Sequence, residues 1–336
     1  MTPTKKTPTI YDVAKLAGVS IATISRVLNS PDKVSPETHK KVMSAIDRLG
    51  FVPKAEARAW AMQGTGRIGV LTPFFTAPSF VQRLRGAAAA LSKANYELVI
   101  YPVDAPERLQ GHLSSIPLMK NVDGLIIMSL AIEDIDAKRL SANSMETVLI
   151  EYNHREMNSI LIDDEYGGGL AAEHFIKKGH KTFAFIGDVE PPERFSIHPV
   201  RSRLKGYKQK LQEAGFPISK AHIVSAPYTQ TESRKAALEL LQSPKPPSAI
   251  FAASDFQALA VMKAARQLGI KIPDDVALVG FDDIDVAEHV DLTTISQHLD
   301  ESGRLAVEIL LSRIHEHGRP LQHVNLPLTL IERASA

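Results

Sequence analysis

The sequence predicts an α + α/β chain: a helix-turn-helix head of three helices, then a body of two doubly wound parallel lobes. Three observations carry this. Residues 9–29 hold caps and a glycine turn at the spacing of two short helices. From Arg67 onward, nearly uninterrupted apolar runs alternate with amphipathic segments, the pattern of parallel strands covered on both faces. That alternation runs twice, opening at Ile68-Gly-Val-Leu-Thr-Pro and again at Phe183-Ala-Phe-Ile-Gly-Asp.

Residues 1–8 are polar, with two prolines and two lysines, and read as a disordered arm. Thr9 and Asp12 form a capping box that starts the first helix, and Gly18 permits the turn that ends it. Ser20 then caps a second helix running to about Asn29. Val13, Leu16, Ala17 and Val19 match Ile24, Val27 and Leu28 as facing apolar stripes. A third helix opens at Ser35-Pro36-Glu37, carries Val42, Ile46 and Leu49 inward, and stops at Gly50.

The second helix leaves Ile21, Ala22, Ser25, Arg26 and Asn29 outward, a small, polar and cationic face. A guanidinium there can read guanine O6 and N7 or hold phosphate. Residues 1–66 carry ten Lys/Arg against five Asp/Glu, so a chain of net charge +1 has a basic end. An inert helical appendage would show the same caps. The charge favours a DNA reader.

The 336 residues are 44% hydrophobic, enough for two or three domains. With no cysteine, disulfides, thiol nucleophiles and Cys-based metal sites are excluded. No GxGxxG follows a strand, and neither a P-loop nor HExxH occurs, so neither an enzyme nor a cofactor is expected. Gly167–Gly169 lacks P-loop spacing and a lysine, and reads as helix–sheet packing. His180 follows a helix end and should satisfy carbonyls there. No stretch reaches the ~20 apolar residues that span a bilayer, and the start lacks a secretory signal, so the expected location is cytoplasmic.

Residues 51–66 read as a short alanine-rich helix and a glycine joint, marginal without a partner. In the body, strands are expected at 68–72, 97–101, 124–128, 148–152, 182–186, 248–252 and 276–281. Helices are expected near 79–94, 106–119, 166–178, 201–214, 230–242, 255–268 and 300–316. The Gly86–Leu91 run should be a buried packing face.

Sheets of this kind bind ligands beyond the carboxyl ends of their strands. Those ends carry Thr72-Pro73-Phe74-Phe75, Glu151-Tyr152-Asn153, Asp188, Ser254-Asp255 and Asp282-Asp283. Carboxylates, a hydroxyl and aromatics facing one cleft suit a small polyhydroxylated molecule. Taken singly, each acid reads equally as a turn or cap residue, Asp255 above all as the cap of its helix.

Residues 9–29, Val34-Ser35-Pro36-Glu37-Thr38 and Gly50-Phe51-Val52-Pro53 together resemble the lactose-repressor (LacI/GalR) family of bacterial transcription regulators. The likeness runs to the end of the chain, whose body also resembles periplasmic sugar-binding proteins. It implies a head over 1–50, a hinge helix and linker over 51–66, and an effector-binding and dimerisation core over 67–336. Lobe one would take 67–165 plus 296–323, and lobe two 166–295 plus 324–336.

The resemblance implies a homodimer, with a tetramer as the larger alternative, on a pseudo-palindromic operator. Tyr11, Ser20, Thr23, Ser25, Asn29, Ser35 and Thr38 would serve the phosphates, and Ile21, Ala22 and Arg26 the base edges. Ala57 matches the hinge pattern, and Trp60 stands where the family's minor-groove wedge is usually leucine. In the cleft, Arg203 and Asp282 match effector-contacting positions. Ser254 stands at a polar position, Glu151 replaces an aspartate and Tyr228 falls near a stacking aromatic. Phe74 joins them from the strand ends. Leu299 replaces an aromatic of some members, with His298 as an extra contact. A small sugar-like effector would then release the repressor from carbohydrate-use genes.

Overall fold

The computed structural model describes residues 8–29, 33–51, 64–189, 196–316 and 318–336. It falls into two compact units, Met1–Thr65 and Gly66–Ala336.

In the first unit, α1 (Ile10–Ala17) opens at Thr9, whose N–H and Oγ1 both donate to the Asp12 carboxylate at 2.8 and 2.7 Å. Gly18, at φ 66°, ends the helix in the left-handed region that glycine adopts without strain. α2 (Ile21–Asn29) is capped by Ser20 Oγ, which accepts from Thr23 N–H at 3.1 Å. α3 (Pro36–Leu49) begins with proline, is capped by Ser35 Oγ and stops at Gly50. Val13, Ala17, Ile24, Val27, Val42, Ala45 and Ile46 make the core. Leu16 is a correction: it is 41% exposed, and Ala14 is buried instead. An eight-residue helix touching two others buries only the stripe through 13, 14 and 17.

The second unit holds two six-stranded sheets of equivalent strand order. The first runs β11 (His323–Leu326), β5 (Asn158–Ile162), β4 (Glu146–Ile150), β3 (Gly124–Met128), β1 (Arg67–Thr72), β2 (Glu97–Pro102). The second runs β12 (Thr329–Ile331), β10 (Thr293–Ser296), β9 (Ala277–Asp282), β8 (Ala249–Ala252), β6 (Phe183–Gly187), β7 (Ile223–Ser225). Every pairing is parallel except β10 with β12.

Helices cover both faces of each sheet. In lobe one, α4 (Pro78–Lys93) and α12 (Leu299–His315) lie on one face, α5 (Pro106–Met119) and α6 (Asp134–Ala142) on the other. In lobe two, α7 (Asp164–Lys177) and α8 (Val200–Glu213) oppose α9 (Gln230–Leu241) and α10 (Asp255–Leu268). The short α11 (Asp285–His289) follows β9.

Sequence reading missed β5, β7, β10, β11, β12, α6 and α11, elements of three to nine residues that are too short or too polar to show a period. The expected strand at 148–152 is Glu146–Ile150, because Glu151 leaves the sheet at φ 65°. The tail also differs: His323 to Leu326 pairs with Ser159 to Ile162, so the first sheet keeps the chain three residues beyond 323. Ser296 in turn pairs with Asp282 in the second sheet.

Glycines set the helix packing in both lobes. A Cβ on Gly86 would overlap the carbonyl of Asp300, and one on Gly303 the carbonyl of Arg83. A Cβ on Gly206 would overlap the carbonyl of Glu165, and one on Gly168 the carbonyl of Arg203. Thus α4 meets α12, and α8 meets α7, backbone to backbone. Within Gly167–Gly169, only Gly167 faces the sheet, against Phe281 and Leu328, while Gly168 serves α8. Of the Gly86–Leu91 run, Gly86, Ala87 and Leu91 are buried, but Ala89 is exposed.

Candidate functional site

On the head, α2 exposes Ile21, Ala22 and Arg26, with Thr23 and Ser25 half-buried beside them. Tyr11 is 69% exposed. Ser35 is exposed and Thr38 half-buried at the start of α3. Ser20 and Ser35 are held by their capping roles, which fixes their hydroxyls at the helix starts. The side chain of Asn29, and Ala57 and Trp60, lie outside the described residues.

In the body, a cavity of about 210 Å³ lies between the lobes, at the carboxyl ends of their strands. Phe74, Glu151, Arg203, Tyr228, Ser254 and Asp282 all line it, so the structure brings together six residues far apart in sequence. Phe74 packs edge-on to Phe80 at 6.3 Å, and Tyr228 stacks on Phe256 at 4.8 Å. Three strand ends carry non-glycine residues in sparsely populated backbone regions: Ser129 (φ 53°), Glu151 (φ 65°) and Asp282 (φ 117°). Such strain concentrates at functional sites.

The two lobes offer the same set of groups from equivalent places. The helix after the first strand carries Arg83 in lobe one and Arg203 in lobe two. Ser129 follows β3, as Ser254 follows β8. Glu151 follows β4, and Asp282 ends β9.

Arg83 Nη2 donates to Glu151 at 2.6 Å and to Gln297 Oε1 at 3.1 Å, while its Nε donates to Ser302 at 3.0 Å. Ser129 Oγ donates to the other oxygen of Glu151. Arg203 Nε donates to Asp164 at 2.8 Å, and its guanidinium lies 3.6 Å over the Phe281 ring. Its Nη1 donates to the carbonyl of Ala253 at 2.6 Å and stands 3.6 Å from Asp282. Gln297 Nε2 donates to Asp282 at 2.6 Å. A polar chain therefore crosses the cleft floor from Ser129 through Glu151, Arg83, Gln297 and Asp282 to Arg203.

Burial would raise the Glu151 carboxyl, but Arg83 and the Ser129 hydroxyl overcome it and hold the group below its ordinary value. Burial lifts Asp282 to about 6 against the pull of Arg203. Asp164 is lifted to about 6 by the same cause. Asp255, behind the cleft, is raised well above the usual range by burial and by the charge of Asp282.

Several expectations change. Ser254, not Asp255, caps α10, accepting from Gln257 N–H at 3.2 Å. Asp255 is wholly buried and instead accepts from Ile284 N–H and the Thr294 hydroxyl. Gln297 lines the cavity, whereas His298 turns to Thr329 and Leu299 is buried at the start of α12. Asp283 pairs with Arg333 at 2.8 Å, and Tyr152 donates to the Ile132 carbonyl, both off the cavity. His180 satisfies a helix-end carbonyl as expected, through its backbone N–H, which donates to the Phe175 carbonyl at 3.1 Å, while its ring reaches Ser248 Oγ.

Sequence reading missed Arg83, Ser129, Gln297 and His198, which also line the cleft. Arg83 left a signal. It lies three residues after Phe80 and four before Ala87, on the buried stripe of α4, where an unpaired charge would be costly. The short polar turns holding Ser129 and Gln297 left none.

A two-lobed, ligand-binding body attached to a helix-turn-helix head defines a class, the ligand-responsive DNA-binding regulator. Residues 9–54 match the bacterial regulatory proteins of the lacI family, and residues 172–336 match the periplasmic binding protein-like domain. The chain is 32% identical to the ribose operon repressor of Escherichia coli K12 over 333 residues, covering 98% of this chain and 99% of that one. Its fold matches a complex of the transcriptional regulator CelR with cellobiose at TM-score 0.69 and 29% identity, covering 98% and 100%. It also matches the lac repressor dimer bound to operator and the anti-inducer ONPF at TM-score 0.75 and 26% identity, covering 98% and 99%. The chain belongs to the lacI family of bacterial regulatory proteins, which are DNA-binding transcription regulators and not enzymes.

Proposed function

We propose that this regulator is a cytoplasmic homodimer that represses carbohydrate-use genes and leaves its operator when a small sugar-like molecule fills the cleft. The observation that carries the reading is the cavity itself. Acids from both lobes can accept hydroxyl hydrogens, and Phe74 and Tyr228 can cover the apolar face of a ring. The names of the ribose and cellobiose relatives point to the same ligand chemistry.

Phe74, Glu151, Arg203, Tyr228, Ser254 and Asp282 form the proposed effector site. On the head, Arg26, Ala22 and Ile21 read base edges, with Ile21 or Ala22 against a thymine methyl. Tyr11, Ser20, Thr23, Ser25, Asn29, Ser35 and Thr38 hold phosphates. Ala57 and Trp60 belong to the hinge, where Trp60 wedges the minor groove or packs against its dimer mate. A ligand that favours one angle between the lobes shifts the paired heads by linkage, typically ~1–3 kcal/mol.

Gel retardation of the chain's own upstream DNA tests the head. Arg26→Ala should abolish the sequence-specific shift, and a shift indifferent to sequence or to this substitution would refute the reader. For the cleft, sugars are titrated against the fluorescence of Trp60, the only tryptophan. Asp282→Ala should weaken binding, and unchanged affinity would remove Asp282 from the site.

A further inference from the structure

Arg83 has no part in the reading above, yet it is the lobe-one counterpart of Arg203. The sequence carries the repeat: Arg83-Leu-Arg-Gly86 on α4 and Arg203-Leu-Lys-Gly206 on α8. In each copy the glycine three residues on packs against the neighbouring helix, which places the arginine at the cleft floor. The residue between them makes matching ion pairs as well, Arg85 with Asp300 at 2.6 Å and Lys205 with Glu165 at 2.7 Å. Arg83 is 1% exposed and Arg203 4%. Both guanidinia are already gripped by carboxylates of the protein, Arg83 by Glu151 and Arg203 by Asp164. Asp282 and Asp188 add two more carboxylates to the wall.

From this we infer that Arg83 and Glu151 are specificity-determining residues that set the charge the cleft accepts. They admit an uncharged, hydroxyl-rich ligand and refuse its phosphate ester. This rests on the sugar-effector reading and refines it. Among the described residues, four carboxylates stand around two guanidinia, so a phosphate group of charge near −2 would meet no cationic surplus from them. It would also have to displace Glu151 from Arg83, leaving a buried carboxylate without its partner, which is strongly unfavourable. Hydroxyls can donate to these acids and accept from the guanidinia without breaking either pair.

The test uses the full-length protein and sulfate as probe, at about pH 8. Thermal stabilisation by sulfate is read against chloride at equal ionic strength. Wild type should show no saturable sulfate effect that depends on Arg83. Glu151→Gln, which keeps an acceptor for Arg83 but removes the charge, should bind sulfate about tenfold more tightly or better. Adding Arg83→Met should abolish that gain. Should Glu151→Gln fold poorly, Asp282→Asn asks the same question beside Arg203. Saturable sulfate binding by wild type that Arg83→Met removes would overturn the inference, as would no gain in either carboxylate variant. Free sugars and their phosphate esters, ribose and ribose 5-phosphate among them, are then compared by the same readout. Stabilisation by an ester over its parent sugar counts against charge selection. Silence from every sugar counts against the effector reading alone, because the sulfate titration decides the charge question by itself.

Discussion

The two lobes share a plan and differ by one methylene where it matters. In lobe one the longer Glu151 reaches both Arg83 and Ser129, and both of its oxygens are engaged within its own lobe. In lobe two the shorter Asp282 stands 3.6 Å from Arg203, which is held by Asp164 instead. Gln297 fills the gap by donating to Asp282. The outcome is opposite electrostatics at equivalent positions. Glu151 stays ionised far below neutrality, whereas burial lifts Asp282 to about 6. One frame thus yields a locked anchor on one side of the cleft and a titratable acceptor on the other.

The shared plan predicts its largest effect at the glycines. Gly86→Ala in lobe one and Gly206→Ala in lobe two should each destabilise the body by about 3 kcal/mol, measured by urea unfolding. Each added methyl must push two helix backbones apart. A loss confined to one lobe would break the equivalence.

The difference between the lobes predicts a pH effect. As pH falls through about 6, Asp282 takes up a proton and loses the charge that makes it a strong acceptor for ligand hydroxyls. Affinity for the sugar identified by titration should drop about tenfold per pH unit below that point. Asp282→Asn should flatten the profile, whereas Glu151→Gln should keep the decline but move it to lower pH, because Glu151 does not titrate in this window and its charge helps to raise Asp282. Asp164 is also lifted to about 6, so Asp164→Asn identifies any share it has in the decline. The smallest effect is at Gly169, where a Cβ would meet only Lys210 Cε at 3.9 Å. Gly169→Ala should stabilise lobe two by ~0.5–1 kcal/mol, seen as a raised unfolding midpoint, by relieving the entropy that glycine loses in a helix.

Much of the molecule was legible because its signals are local. A capping box at Thr9 and Asp12, a cap at Ser20 and glycine stops at Gly18 and Gly50 act within four residues, and each stands as read. Long helices such as Asp255–Leu268 declared their period, although the cap one residue earlier fell to Ser254. Strand ends pointed to Glu151, Asp282 and Phe74, because a doubly wound sheet sends those ends to one edge.

Tertiary structure alone decided the rest. Which partner an acid takes depends on what the fold brings within about 3 Å, so the pairing of Arg83 with Glu151, 68 residues away, could not be read from spacing. Short pieces such as β10 and β11 are strands because a neighbour in the sheet supplies their hydrogen bonds, not because their own residues demand it. Caps, periods and glycine stops are fixed by backbone chemistry within a few residues. Ion pairs and burial, and with them the proton affinity of Asp282, exist only once distant segments have closed around a shared low-dielectric space.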